Sequence, residues 1–170
     1  CNKEYEARPP ESTMGEETAV VVASAPGKCI LFGEHAVVYG EPAVAVAIEQ
    51  RLTVSMSNAG TWSVDGSALD NQKHPHITML RNAWLKDAPP MALHVSGDIP
   101  SASGLGSSAA LSAAVGAAMH HLSNPSKGID RDGLSAFAHR AEAHAQEGRA
   151  SPMDASTSVE GGVVVVSDRK

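Results

Sequence analysis

Cysteine is scarce in this chain, with only Cys1 and Cys29 among 170 residues. Two thiols exclude a multi-bridge disulfide scaffold. Cys29, set in an apolar stretch, reads as a small hydrophobe kept reduced, which fits a cytoplasmic setting. Aromatic residues are equally sparse at 4%, so the core has to be assembled from Ala, Val, Leu and Ile. An excess of positive charge is also missing: 13 Lys and Arg stand against 19 Asp and Glu, a net charge of −6. That balance excludes the basic stripe which attracts a nucleic-acid backbone. Long hydrophobic runs are absent too. The longest small-apolar stretch, Ala109 to Met119, is too short to cross a bilayer, and residues 1–18 are polar and acidic, unlike a secretory leader. What remains is the composition of one ordinary globular domain.

Residues 1–18 (CNKEYEARPPESTMGEET) have no apolar periodicity and read as a disordered extension, with Met14 as a candidate natural start. Residues 19–170 read as the folded domain. Ala19 to Ala25 is a buried-strand candidate that should stop at Pro26-Gly27. Cys29 to Phe32, Pro42 to Ile48, Arg51 to Ser57, Thr61 to Gly66, Met91 to Val95 and Gly161 to Val166 are further strand candidates. His76 to Leu85, Ser107 to Leu122 and Leu134 to Glu147 have helical spacing or composition. His74-Pro-His76 reads as a surface turn. Strands early and helices late predict an α+β domain, a sheet layered with helices.

The most informative segment is Asp98 to Ala110, DIPSASGLGSSAA, between a strand and an Ala-rich helix. Gly104 and Gly106 permit positive φ angles and close approach to a ligand. The first amides of the following helix lack intrahelical partners, and with the helix dipole they form an anion site. A Walker A loop is excluded, because Ser107 and not Lys follows Gly106. Gly104-Leu-Gly106-Ser-Ser-Ala109 matches a dinucleotide fingerprint, but the helix leads to another helix and not to a parallel strand. A nucleophile elbow needs Gly two residues either side of Ser, which neither Ser107 nor Ser108 has. The plain alternative is a strand end followed by a helix cap.

Three segments in order decide between these. Ser24 to Gly40 (SAPGKCILFGEHAVVYG) resembles the first signature of the GHMP kinases. Asp98 to Ala110 resembles their second, and Glu142 to Gly162, with GRASPMDASTSVEGG, resembles the segment carrying their catalytic Asp. Within the family, Lys28 followed by Glu34-His35 and AVVYG is similar to mevalonate kinases, and the SPMD form around Asp154 to the archaeal ones. Two departures are visible: Ala102 stands where family loops usually have Gly, and Glu142 to Gly148 is one residue longer than in many relatives. The extra residue fits at the helix end near Glu147. Family members also carry a second domain, so the chain reads as an N-terminal portion.

The resemblance implies a GHMP-kinase N-terminal domain that transfers the γ-phosphoryl of ATP to the primary hydroxyl of mevalonate, an early step towards isoprenoids. Ala102, Ser103, Gly104, Leu105, Gly106, Ser107 and Ser108 would hold ATP. Ser108 and Glu142 would hold Mg²⁺, a hard cation suited to oxygen ligands. Asp154 would act on the substrate hydroxyl, with Lys28 paired to it and favouring alkoxide character, and Glu34 and His35 would line the mevalonate pocket. No nucleic acid or membrane partner is implied, and a homodimer stays open. Residue by residue, plainer alternatives exist: Lys28 as a solvated turn lysine, Asp154 as a helix cap, Glu142 on a solvated helix face, His35 as a core histidine. For the whole chain the alternatives are another GHMP kinase, for phosphomevalonate or homoserine, or a non-catalytic nucleotide-binding module.

Overall fold

The computed structural model describes residues 20–33, 39, 41–100, 103–148 and 150–167. The proposed extension, Glu34, His35 and Ala102 lie outside these residues. The sheet is built on one long antiparallel pair, β1 (Val21–Phe32) and β2 (Ala43–Asn58). Contrary to the expectation from sequence, β1 does not stop at Pro26-Gly27. It runs through them while its pairing with β2 slips between Pro26 and Lys28. Such an irregularity is where a strand tolerates a proline that cannot donate to the ladder. For the same reason β2 is a single strand that joins the two expected segments across the exposed Glu49 and Gln50.

The second half of β2 pairs with β5 (Met91–Gly97), and its first half with β6 (Val163–Val166). In place of one strand from Thr61 to Gly66 there is a small hairpin, β3 (Ser63–Val64) and β4 (Ser67–Ala68). Asp65 and Gly66 form its turn, both at positive φ (47° and 77°), as a two-residue hairpin requires. β3 lies parallel to β5, so the sheet is mixed.

Four helices pack with it: α1 (Pro75–Trp84), α2 (Ser107–Ser123), α3 (Arg131–Ala145) and α4 (Pro152–Glu160). The α+β expectation holds. α2 lies against β1 and β2 and touches the other three helices. Its Ala109, Ala110, Ala113, Ala114, Gly116 and Ala118 are all buried, which lets neighbours approach from several sides. A Cβ on Gly116 would meet Leu134 Cδ1 at 2.7 Å. α4 also docks on the sheet, with Met153 buried against Ala43 and Ala45 of β2. Burying a Met side chain contributes about 1.5–3 kcal/mol, and the two alanines keep that helix close to the sheet. Among the described residues no helix is long and apolar enough to cross a membrane.

Candidate active site

Four helix ends gather near Lys28 of β1. Ser108 stands in the first turn of α2, His76 in the first turn of α1, Asp154 in the first turn of α4, and Glu142 in the last turn of α3. β1 supplies Lys28, whose backbone N–H donates to the Leu105 carbonyl at 2.9 Å. This bond ties the strand to the glycine-rich loop. Gly27 permits it, since a Cβ there would lie 2.6 Å from that same carbonyl oxygen.

The two loop glycines do different work. Both are left-handed, Gly104 at φ +76° and Gly106 at φ +73°. A Cβ on Gly104 would meet nothing within 4 Å, so this is where the backbone faces open space. A Cβ on Gly106 would lie 2.8 Å from Lys28 Cγ. Gly106 therefore makes room for the lysine stem, a reason the motif alone does not supply. Gly106→Ala is expected to lose about 1–2 kcal/mol of stability from the left-handed φ and to displace Lys28 as well. Gly104→Ala carries the same backbone cost without the clash. Thermal unfolding should therefore rank Gly106→Ala below Gly104→Ala, and equal stabilities would refute the packing account.

Lys28 is buried, only 6% exposed, and its Nζ lies 3.1 Å from Asp154 Oδ2. A solvated turn lysine is thereby excluded. Asp154 does not cap its helix: the residue at the cap position is Ser151, and Asp154 enters the helix as part of the first turn. The helix N-terminus favours its negative charge there. Glu142 is 3% exposed and so does not belong to a solvated face. Burial pushes its carboxyl up to about 7; the Ser108 hydroxyl draws it down, the Asp154 charge pushes it further up, and Lys28 draws it down.

Glu142 Oε2 and Asp154 Oδ1 are buried and accept no hydrogen bond among the described residues. Two unsatisfied carboxylate oxygens beside a serine hydroxyl fit a hard cation that takes its remaining ligands from phosphates and water. Among the described residues, no three His, Cys, Asp or Glu side chains converge on a protein-only metal cage. The donor set accordingly suits Mg²⁺ carried in with a nucleotide.

His76 corrects the reading of His74-Pro-His76 as a surface turn. Pro75 opens α1, and His76 is half-buried with its Nε2 2.8 Å from Ser108 Oγ. Burial, and then the charge of His144, holds His76 below the ordinary histidine value. No local sequence signal joined it to a loop 32 residues away. Just past the end of α3 the chain turns through two left-handed residues, Glu147 at φ 55° and Gly148 at φ 87°. A separate hollow is lined by Arg51, Arg131 and Ser158, among others. Its arginines are engaged by backbone carbonyls of Ser24, Val159 and Glu160. Arg51 thereby ties β2 to β1, and Arg131 ties α3 to the end of α4.

Comparisons with known proteins give the family. The family described as GHMP kinases N terminal domain matches residues 75–162, just over half of the chain. The mevalonate kinase of Methanothermobacter thermautotrophicus is 39% identical over 156 residues, covering 87% of this chain and 50% of that protein. The mevalonate kinase of Archaeoglobus fulgidus is 38% identical over 156 residues, covering 88% of this chain and 54% of that protein. The crystal structure of the Methanococcus jannaschii mevalonate kinase superposes with a TM-score of 0.75 at 24% identity, covering 95% of this chain and 56% of that one, a likeness of fold. The chain thus spans about half the length of the curated relatives it matches.

Proposed function

The chain belongs to the GHMP kinases through their N-terminal domain, and we propose that it forms the ATP-binding half of a mevalonate kinase. The reaction moves the γ-phosphoryl of ATP to the primary hydroxyl of mevalonate, giving 5-phosphomevalonate and ADP. The observation that carries this reading is the buried Lys28–Asp154 pair, set between the glycine loop and Glu142. Phosphoryl transfer asks the protein mainly to position groups and to neutralise charge, and the grouping of Lys28, Asp154, Ser108 and Glu142 supports that reading.

The loop from Ala102 to Ser108 and the free amides at the start of α2 receive the β- and γ-phosphates. Ser108 and Glu142 hold Mg²⁺, which when bound neutralises phosphate charge. Asp154 orients the substrate hydroxyl and accepts its proton as the new P–O bond forms. Lys28 fixes Asp154 and faces the charge that develops on the hydroxyl oxygen. Glu34 and His35 line the mevalonate pocket by resemblance to the family. The free Cys29 thiol suits a cytoplasmic setting.

The substrate choice rests on the archaeal relatives, which are named mevalonate kinases at 38–39% identity. The test is a coupled ADP-release assay on the longer protein that contains this chain, with mevalonate, phosphomevalonate, homoserine and galactose. Mevalonate should be preferred by at least about tenfold in kcat/KM, a difference of ~1.4 kcal/mol in transition-state binding. Preference for another alcohol would overturn the substrate and keep the kinase. Nucleotide binding without turnover of any alcohol would leave a binding module.

A further inference from the structure

We propose that His76 is a positioning residue that accepts the Ser108 hydroxyl proton, so that a lone pair of Ser108 Oγ is turned towards the cation of a metal–nucleotide complex. The inference rests on the kinase reading above and assigns a role to a side chain outside the three segments that carry the family resemblance.

The argument is one of valence. A serine oxygen carries one proton and two lone pairs. Gln146 Nε2 lies 3.4 Å from Ser108 Oγ, and an amide nitrogen only donates, so it occupies one lone pair. To ligate a cation the oxygen must offer its second lone pair, and its proton must go elsewhere. Two acceptors compete for it: the Glu142 carboxylate, whose charged form the Ser108 hydroxyl favours, and His76 Nε2 at 2.8 Å. A proton held against Glu142 would compete with the cation for the same carboxylate. A proton held by His76 leaves both Glu142 and Ser108 free to face the metal.

His76 is well placed to hold it. Pro75 starts the helix with its φ already near the helical value, and Ile77 and Leu80 bury the same helix in the core. The ring therefore reaches Ser108 from a fixed support. The arrangement requires the neutral tautomer with the proton on Nδ1, because a ring that carries hydrogen on Nε2 donates to Ser108 and forces its proton back onto Glu142. Hydrogen bonds of this kind, made by a metal ligand to a group behind it, typically account for 10–100-fold in metal affinity.

The experiment uses the longer protein that contains this chain, with a non-hydrolysable ATP analogue measured by calorimetry in Mg²⁺ and in EDTA. Wild type should bind the Mg²⁺ complex more tightly than the metal-free analogue. His76→Phe keeps the ring and removes both nitrogens; it should lose about tenfold in affinity for the Mg²⁺ complex and leave metal-free affinity unchanged. His76→Gln places a carbonyl acceptor near the Nε2 position and should recover most of that loss. In ¹⁵N spectra of wild type, His76 should show the Nδ1–H tautomer, a readout independent of how either variant folds. Unchanged Mg²⁺ dependence in His76→Phe, equal loss in both variants, or an Nε2–H tautomer would each overturn the proposal. Wild type binding neither form of the analogue would remove the kinase reading, and this inference with it.

Discussion

Asp154→Asn should lower kcat and kcat/KM together by about 10²–10⁴-fold, the usual range for a positioned proton acceptor, with KM for mevalonate nearly unchanged. An interaction made only in the transition state has this signature; one made equally to bound substrate would raise KM instead. The loss corresponds to about 3–5 kcal/mol at roughly 1.4 kcal/mol per decade. Asn retains a carbonyl oxygen that can face Lys28 Nζ, now 3.1 Å from Asp154 Oδ2, so the geometry of α4 and β1 should survive. Stability should still fall, because the Lys28 ammonium, 6% exposed, would face a neutral amide. Charge-assisted hydrogen bonds contribute about 1.5–3 kcal/mol, which bounds that loss. A residue that served only the fold would show the stability change with normal turnover per folded molecule. Steady-state kinetics beside urea unfolding of the same preparation separates the two, and wild-type kcat in Asp154→Asn would eliminate the catalytic role.

Much of this site was legible before any coordinates, because its chemistry is written in contiguous segments. Lys28 sits in APGK, the loop in SGLGSS, and Asp154 in SPMD; only the loop has a local reason, and the other two were singled out by the order in which the three segments resemble the family. The fold classes of the long apolar elements were equally plain. The misses share a cause: they depend on partners far away in sequence. Nothing in Pro26-Gly27 announces that pairing with β2 will carry a strand straight through it.

α4 was missed although Ser151 and Pro152 mark a helix start, because Asp154, Ser156, Thr157, Ser158 and Val159 are poor helix formers. Docking decides it, with Met153 on Ala43 and Ala45, and buried Thr157 donating its hydroxyl to the Met153 carbonyl at 2.7 Å. His76 is the same lesson at the site itself. A histidine beside a proline in a polar stretch looks like a turn until α1 is laid against α2. Gly106, singled out for close approach to a ligand, gains a second reason that only the fold reveals, Lys28 beneath it.

Glu142→Gln should make the protein without ligands more stable at pH 8 and at the same time nearly inactive. Burial raises the Glu142 carboxyl from 4.5 to about 7. Between those values the folded chain holds a proton that the unfolded chain has released. The proton count of the unfolded state minus that of the folded state is then negative, so wild-type stability falls as pH rises through the window and levels off above about 7. The size is on the order of 3 kcal/mol at 1.36 kcal/mol per pKa unit. Gln is neutral throughout, so the difference between the proteins cancels the titrating groups that do not feel Glu142 and leaves Glu142 with its coupling to Asp154 and Lys28. It should be small near pH 4.5, grow to roughly 3 kcal/mol by pH 8 in favour of the variant, and then stay constant. Saturating Mg²⁺ and nucleotide should reduce that difference, because a cation favours the carboxylate in wild type and has no anion to meet in the variant. Urea midpoints from pH 4.5 to 8.5, with and without Mg²⁺ and nucleotide, measure all of this. A difference that does not change with pH would refute the buried proton, and a fully active Glu142→Gln would remove Glu142 from the metal site.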